Sequence, residues 1–399
     1  MRRLTSAITA ALALSPFVAA APASAAPARH ITYTRWDSAD ELRAGRLSGV
    51  RVGRGGRVSL PPGTRAGTWR SPWAAAGFDL TRLVASWEGR TPGRSRLRVD
   101  VRGRTGSGRS GWDTLAVWAQ GDRFYERTSR AAQGDDLGSV DVDTWVVPDG
   151  VSEYQLRVTL VRREGQRRSP WLDAIGAMSS RLPDVSSVRT SRPGPARGIV
   201  LDVPAYSQMI HRGHSPEYGA GGEAWCSPTS TSMVLGYYGA LPPARAYSWV
   251  RQGDVDPWVD HAARMTYDYS YDGTGNWPFN TAYAATLVDR AFVTRLRSLR
   301  EAELLVRAGI PVVASIAFGR GELTGAPLSS TDGHLLVIVG FTDTGDVVVN
   351  DPAAATNAGV RRTYDRGEFE DAWIPTSGGT VYVIADDAHP LPVSPRGNW

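Results

Sequence analysis

Residues 225–239 read WCSPTSTSMVLGYYG, and this stretch decides how the second half of the chain folds. It predicts a helix over residues 228–238, because proline is favoured in the first turn of a helix and Gly239 suits its C-terminal cap. Cys226 then lies at the helix start, where the helix dipole and backbone N–H groups favour a thiolate. It is the only cysteine among 399 residues, so it has no intramolecular disulfide partner. The sequence leaves two interpretations, an inert buried thiol or a nucleophile.

Helical and strand patterns alternate on the C-terminal side of this stretch. They predict helices over residues 280–289 and 300–308, and strands over residues 311–318, 334–341, 347–350 and 380–384. A leading helix followed by a sheet late in the sequence is typical of an α+β domain. We predict such a domain over residues 199–388, with a tail at residues 389–399.

The first half of the chain has the sequence pattern of an all-β domain. Residues 96–102 (RLRVDVR) and 154–160 (YQLRVTL) alternate between polar and apolar side chains, as a strand buried on one face does. This half predicts a β-sandwich, jelly-roll-like, over residues 30–182. Residues 183–198 are rich in Ser, Arg and Pro without periodicity and predict a linker.

Four tryptophans of this first half allow two interpretations. Trp69, Trp87, Trp112 and Trp118 either form exposed surfaces for a carbohydrate or cell-wall polymer, or fill the core of the sandwich.

The first 26 residues predict export. A short basic start, an apolar Ala-rich run over residues 8–21 and the sequence Ala23-Ser24-Ala25 fit a secretory signal peptide. The apolar run is too short for a membrane span. We therefore expect a secreted protein without a membrane span.

Composition restricts the chemistry and the partners. All 45 basic residues are arginine, which excludes Schiff-base chemistry and a phosphate-binding P-loop, since both require lysine. The net charge of +5 comes without a compact basic helix or an aromatic RNA platform, so we expect no nucleic-acid partner. We expect no cofactor and a monomer, with at most weak attraction to anionic cell-wall polymers.

Four side chains supply the groups that thiol catalysis needs. Cys226 is the candidate nucleophile, His334 the base that holds and returns the proton, and Asp351 the acceptor that orients the imidazole. Gln208 is the candidate oxyanion donor. Asn350 competes with Asp351 for the orienting role. Each residue also has a structural alternative: a buried thiol, a core histidine, a turn aspartate and a loop glutamine.

The motifs around these residues resemble a known peptidase family. Residues 203–208 (VPAYSQ), 225–230 (WCSPTS), 333–341 (GHLLVIVGF) and 349–352 (VNDP) resemble the bacteriocin-leader-processing cysteine peptidases and, more closely, their stand-alone exported relatives. The resemblance covers residues 200–386. It implies a papain-like fold and the four roles given above. Ser227 departs from the glycine common in the family, and the absence of a transporter region removes the usual reason to expect a double-glycine leader as substrate.

The first half resembles the β-sandwich accessory domains that precede peptidase domains in exported actinobacterial proteins. The likeness rests on Ser86-Trp87, Gly111-Trp112 and the Leu-Arg-Val strand. It implies binding rather than catalysis.

Three aromatic residues are predicted to contact substrate: Trp225, Tyr271 and Trp277. The last two belong to a segment dense in aromatic residues and glycine, which predicts either a groove lining or a packed loop. His211 and His214 lie beside Glu217 in an apparent loop and lack a clear third ligand, so no metal site is predicted.

The sequence supports two hypotheses from different classes. The first is a secreted cysteine peptidase, with amidase or acyl-transferase activity sharing the same residues. The second is a non-catalytic adaptor that binds cell wall or protein through a papain-like fold.

Overall fold

Antiparallel strands build the N-terminal half of the protein. The structure is a computed structural model that describes residues 28–399 apart from residues 107 and 135, so the predicted signal peptide lies outside the described residues. The N-terminal elements are β1 (His30–Trp36), α1 (Ala39–Ala44), β2 (Arg46–Ser48), β3 (Arg51–Val52), β4 (Val58–Ser59), β5 (Ala66–Arg70), β6 (Ala74–Arg90), β7 (Ser95–Arg104), β8 (Asp113–Trp118), β9 (Thr128–Ser129), β10 (Ser139–Asp141), β11 (Thr144–Arg162) and β12 (Trp171–Arg181).

These strands join in one branched, antiparallel network. The main order is β3-β4-β12-β6-β11-β7-β8-β9, with β1 on β12, β10 and β5 on β11, and β2 on β5. The two alternating segments predicted as strands lie in β7 and β11, and they pair with Val99 opposite Val158. Leu97, Val99 and Val101 are fully buried, so the period-2 pattern reports a strand with one face in the core.

Tryptophan fills this core rather than covering its surface. Trp69, Trp87 and Trp118 are at most 1% exposed. Trp112 is half-buried and stacks against the guanidinium groups of Arg102 and Arg157, at 4.4 and 4.2 Å from its ring centre. The interpretation of the three buried rings as an exposed carbohydrate platform is therefore wrong, because a flat aromatic ring removes more apolar area from water inside the core.

The C-terminal half mixes helices with a second antiparallel sheet. Its elements are α2 (Cys226–Tyr237), α3 (Pro257–Thr266), α4 (Trp277–Ala284), β13 (Arg290–Arg295), α5 (Leu299–Arg307), β14 (Val312–Phe318), β15 (Thr331–Phe341), β16 (Val347–Asn350), β17 (Arg361–Tyr364), α6 (Arg366–Ser377) and β18 (Thr380–Ala385). The sheet order is β13-β18-β14-β15-β16-β17.

The elements predicted in this half are confirmed, with shifted ends. The predicted first helix starts two residues earlier, at Cys226, and the second is displaced to Trp277–Ala284. Two helices and two strands had no sequence prediction: α3, α6, β13 and β17. Helix α6 contains Pro375, a residue that normally ends a helical pattern.

The segment predicted as a linker contains no helix or strand but is bonded along its length to the C-terminal half. The backbone N–H groups of Gly194 and Ala196 donate to the Glu303 carboxylate, and Ser191 donates to Glu370. The C-terminal tail is likewise held, since the buried Asn398 amide donates to the Arg295 carbonyl. Neither segment is a free tether.

The two halves share their cores. Phe279 and Ala282 of α4 pack into the hydrophobic cluster of the N-terminal strands, while Ile31, Val84 and Met178 of those strands pack into the cluster beneath α2. This packing brings the N-terminal strands close to the helix that starts at Cys226. Among the described residues, the longest helices fall well short of the length and apolarity that crossing a bilayer demands.

Candidate active site

Cys226 is the first residue of α2, and the C-terminal end of this helix follows from the sequence. The Gly239 backbone has φ +64°, and the N–H of Ala240 donates to the Leu235 carbonyl, which is the C-terminal cap that glycine allows. At the other end, the N-cap residue Trp225 provides no side-chain hydrogen bond. The partial positive charge of the helix N-terminus therefore lies beside the thiol.

Hydroxyl groups on α2 fix it against the sheet. Ser230 Oγ donates to the Leu335 carbonyl of β15 at 3.0 Å. Ser227 Oγ and the Tyr382 hydroxyl of β18 are 2.8 Å apart. Residues 227–235 are all buried, so this helix needs such polar anchors rather than one apolar face. The anchoring at Leu335 brings the start of α2 to the neighbouring residue of β15, His334.

The His334 imidazole lies between a carboxylate and the thiol. Its Nε2 is 2.8 Å from Asp351 Oδ1, which leaves Nδ1 for Cys226. Burial by itself would lower the pKa of His334, but the charge and hydrogen bond of Asp351, followed by those of Cys226, outweigh it and raise the pKa above its usual value. The arrangement therefore stabilises the imidazolium form between two anionic or hydrogen-bonding partners.

Asp351, rather than Asn350, contacts the histidine. Burial would raise the pKa of Asp351, but His334 and hydrogen bonds from the Tyr364 hydroxyl and the Ala353 N–H lower it. Because the carboxylate only accepts, Nε2–H of His334 is the donor.

The Asn350 side chain forms hydrogen bonds with groups other than His334. Its amide donates to the Val203 and Pro204 carbonyls and accepts from Arg361. Sequence reasoning missed Tyr364, which lies on β17 and donates to Asp351 Oδ2 at 2.7 Å. No local motif marks this tyrosine, because only the pairing of β16 with β17 brings its strand beside Asp351.

Gln208 opens a 3₁₀ helix, Gln208–His211, and is 3% exposed. Its Nε2 donates to the Glu223 carbonyl at 2.7 Å, which fixes the orientation of the amide. Oε1 has no hydrogen-bond partner among the residues that the structure describes. The Gln208 N–H donates to the Pro352 carbonyl. A Cβ on Gly222 would come within 2.4 Å of the His211 backbone, so only glycine allows this close approach of the two loops.

One cleft of about 770 Å³ has Gln208, Cys226 and His334 in its lining. Tyr271, which is half exposed, and Trp277 also line it, and their contact with substrate stays a prediction. Asp351 stands behind the histidine and is buried.

Trp225 is placed differently from the prediction. It is fully buried, donates from Nε1 to the Tyr218 carbonyl, and packs against Val259 and Ala263. Its position immediately before the thiol suggested a groove residue, but the helix turn directs its side chain into the interior. Trp225 supports the loop before α2 and is not available to contact substrate.

The two histidines His211 and His214 meet Asp260 of α3, rather than Glu217. Each Nδ1 lies at 2.9 or 3.0 Å from a different oxygen of that carboxylate. Their ligating atoms lie within 4.8 Å of one another, a set that could hold a metal ion and whose ligand types suit zinc. In the structure the Asp260 carboxylate accepts from both rings, and the three side chains are here called the bracket. The buried Nε2 of His211 has no hydrogen-bond partner among the described residues.

A cleft that contains a thiol, an imidazole fixed by a buried carboxylate and an oriented amide defines a candidate hydrolase of the thiol-dependent class. The family comparisons support the coarser statement that the chain is a peptidase or a related enzyme. Residues 200–381 match the Peptidase C39 like family, and residues 32–180 match the Peptidase C39 N-terminal domain. The two halves of the chain are therefore similar, in this order, to an actinobacterial-type N-terminal domain of peptidase C39 proteins and to a peptidase C39-like domain, and the predicted resemblance is confirmed.

Other comparisons add no functional information. A search of curated proteins found no match. Among solved structures, a family two carbohydrate esterase from Cellvibrio japonicus is 14% identical, with 41% of this chain and 38% of that chain covered and a TM-score of 0.20. The chain thus spans well under half the length of that esterase, and the likeness carries no argument about fold or activity.

Proposed function

We propose that the protein is an exported cysteine peptidase that hydrolyses peptide bonds at Cys226. The observation that carries the proposal is that the only thiol of the chain shares a cleft with the His334 imidazole, which is held by the Asp351 carboxylate. The match of residues 200–381 to the Peptidase C39 like family supports it. Export is inferred from the signal-like residues 1–26 alone.

The proposed reaction gives each of the four groups a distinct role. The Cys226 thiolate attacks the peptide carbonyl carbon, a C–S bond forms, and the carbonyl π electrons move to oxygen. Gln208 Nε2–H and the Cys226 backbone N–H stabilise this oxyanion. The intermediate collapses, the C–N bond breaks, and the departing amine takes a proton from the His334 imidazolium.

Water completes the cycle. His334, now neutral, removes a proton from water as it attacks the thioester, and the acid product leaves with regeneration of the thiolate and imidazolium. Asp351 holds the ring through Nε2, which leaves Nδ1 for the sulfur, and Tyr364 holds Asp351. If an amine replaced water, the same steps would give acyl transfer.

We infer a papain-like arrangement for the C-terminal domain and a β-sandwich for the N-terminal one. The first inference is supported by a nucleophile at the start of α2 packed on the antiparallel strand that carries the base. The second is supported by the long strands β6 and β11, each of which pairs with several neighbours.

Alkylation of Cys226 tests the nucleophile directly. Because the protein has one cysteine, the rate of modification by iodoacetamide or E-64 reports that site alone. We expect wild-type protein at pH 6.5 to react about tenfold faster or more than His334→Ala, because the imidazolium stabilises the thiolate. The matched control is His30→Ala, which removes an exposed histidine on β1 and should leave the rate unchanged.

Hydrolysis of a fluorogenic peptide library tests turnover. We expect Cys226→Ser and His334→Ala to lose about a thousandfold or more in kcat/KM. Equal, slow alkylation of wild type and His334→Ala, with no library member cleaved, would instead identify a non-catalytic adaptor. Fast alkylation with product formed only when an amine is added would identify a transferase.

A further inference from the structure

A turn of the N-terminal domain lines the candidate active-site cleft. Strands β10 and β11 pair with Asp141 opposite Thr144, and residues 141–144, here called the 141–144 turn, contribute to the cleft that contains Cys226. Val142 has φ +51°, a left-handed conformation that a β-branched residue adopts only at a cost. Such strain persists where the surrounding structure imposes it, and it occurs often at ligand-binding sites.

Asp143 fixes the 141–144 turn to the catalytic half. Its Oδ2 accepts from the Trp277 backbone N–H at 2.8 Å, and its Oδ1 accepts from Thr144 at 3.1 Å. Trp277 starts α4 and itself lines the cleft. The turn is therefore a fixed part of the cleft, joined to the C-terminal domain through a partly buried hydrogen bond.

The charge of the cleft is predominantly negative. Its exposed carboxylates are Asp141, Glu223, Asp272 and Asp332. Glu223 lies 3.3 Å from Arg212, and Asp272 accepts from the Tyr267 hydroxyl. Within the described part of the chain, no bond is found for the side chains of Asp141 and Asp332, which belong to different domains.

Two arginines of the cleft lining carry the opposite charge. Arg295 is buried, and its guanidinium donates to Ser180 and Thr380. Arg82 is exposed at the cleft. Among the described residues, the exposed lining therefore carries four carboxylates, of which Glu223 is paired with Arg212 outside the lining, against one guanidinium. A binding cleft with one prevailing sign of charge attracts groups of the opposite sign.

We propose that Asp141 of the 141–144 turn, together with Asp332, forms a subsite for a positively charged group, such as a lysine or arginine side chain of a peptide. The N-terminal domain then takes part in substrate recognition at the cleft itself. This inference deepens the proposed peptidase function and depends on it for the identity of the ligand as a peptide, although the charge preference of the cleft does not depend on turnover.

Thiol labelling measures that preference without any catalytic step. Cys226 is treated with two methanethiosulfonate reagents of similar size, one carrying a quaternary ammonium and the other a sulfonate, and the ratio of the two rate constants is taken. We expect Asp141→Asn to lower the ratio of cationic to anionic rates about two- to threefold, and Asp141→Asn with Asp332→Asn to lower it further, since one unit charge acts through solvent across the cleft.

The matched control is Asp149→Asn, which removes an exposed carboxylate of β11 outside the cleft lining. Its ratio should equal that of wild type. A ratio unchanged in Asp141→Asn, with circular dichroism and melting temperature as in wild type, overturns the inference.

Peptides separate this inference from the proposed function. We expect peptides with Lys or Arg near the scissile bond to be cleaved about threefold or more better than matched Glu peptides, and Asp141→Asn to reduce that selectivity. Cleavage without charge selectivity contradicts the subsite and leaves the peptidase intact. No cleavage at all, with the labelling ratio still reduced in Asp141→Asn, contradicts the peptidase and supports a cation-binding cleft.

Discussion

At the scale of single residues, the side-chain carboxyl group of Asp143 has an unusually high pKa. Burial raises its pKa to about 7, although hydrogen bonds from Trp277 and Thr144 act in the opposite direction. The ordinary pKa of an aspartate is 3.8, so the folded protein holds a proton that the unfolded chain releases between pH 4 and pH 7. The free energy of unfolding therefore falls as the pH rises through that window.

We expect Asp143→Asn to remove this part of the pH dependence. An asparagine keeps an acceptor for the Trp277 N–H without the cost of a buried charge. Between pH 5 and pH 8, wild-type protein should lose on the order of 2–3 kcal/mol more stability than the variant, since each pKa unit corresponds to about 1.4 kcal/mol. Urea unfolding at several pH values measures this, with Asp141→Asn as an exposed control. Parallel pH profiles for wild type and Asp143→Asn would show that this carboxyl does not titrate in the window.

At the scale of elements, the bracket of His211, His214 and Asp260 holds the short helix that carries Gln208. Asp260 lies on α3 and is 1% exposed, and its two oxygens accept from the two imidazoles. Gln208 and His211 are the ends of one 3₁₀ helix. The position of the candidate oxyanion donor thus depends on a helix that has no residue in the cleft lining.

Asp260→Asn is expected to lower the free energy of unfolding by about 2–3 kcal/mol. The new amide turns donor hydrogens toward one of the two ring N–H groups, so a buried hydrogen bond to a charged acceptor is lost. Thermal unfolding measures the stability, and Cys226 alkylation together with peptide cleavage measures the site.

The comparison variant for this test is His214→Ala, which removes only the more exposed of the two rings. We expect it to cost about half as much stability. If Asp260→Asn is as stable as wild type, the bracket does not hold the loop. For Asp260→Asn we expect peptide cleavage to decrease more than the alkylation rate of Cys226, because Gln208 acts on the oxyanion rather than on the thiol.

At the scale of the whole molecule, the two sequence domains behave as one packed body. The Arg90 guanidinium donates to the Ala285 and Thr286 carbonyls. Arg264 forms two hydrogen bonds to the Asp122 carboxylate across the boundary. Phe279 of α4 packs edge-on against Trp87, with ring centres 6.2 Å apart. Cores that interpenetrate in this way should melt together.

Calorimetry of the full chain is expected to show one unfolding transition, and Phe279→Ala should shift it as a whole. The loss of this fully buried ring from the N-terminal cluster costs about 3–5 kcal/mol. Leu305→Ala, a substitution in the cluster of the C-terminal sheet, serves as the comparison and should shift the same transition. Two transitions, of which Phe279→Ala moves only one, would mean that the domains unfold independently.

Much of the candidate site follows from local sequence. The helix beginning at Cys226 is set by Pro228 and Gly239, and the alternating strands of the first half are set by a period-2 pattern, both of which act over a few residues. The same is true of the hydrophobic strand that carries His334. Because these signals are local, the order of the four candidate catalytic residues along the chain could be compared with the motif order of a known peptidase family.

The remaining features depend on contacts between distant segments. Tyr364 reaches Asp351 through strand pairing, Asp260 reaches the two histidines from another helix, and Asp143 enters the cleft from the other domain. Trp225 is adjacent to the thiol in sequence but does not enter the cleft, and the sequence did not reveal that its side chain is buried. Local sequence determined many of the elements, although not α3, α6, β13 or β17, and it determined which chemical groups the protein possesses. Only tertiary packing decided which of those groups meet, because long-range contacts are selected by burial and hydrogen bonding of the whole chain rather than by any short pattern.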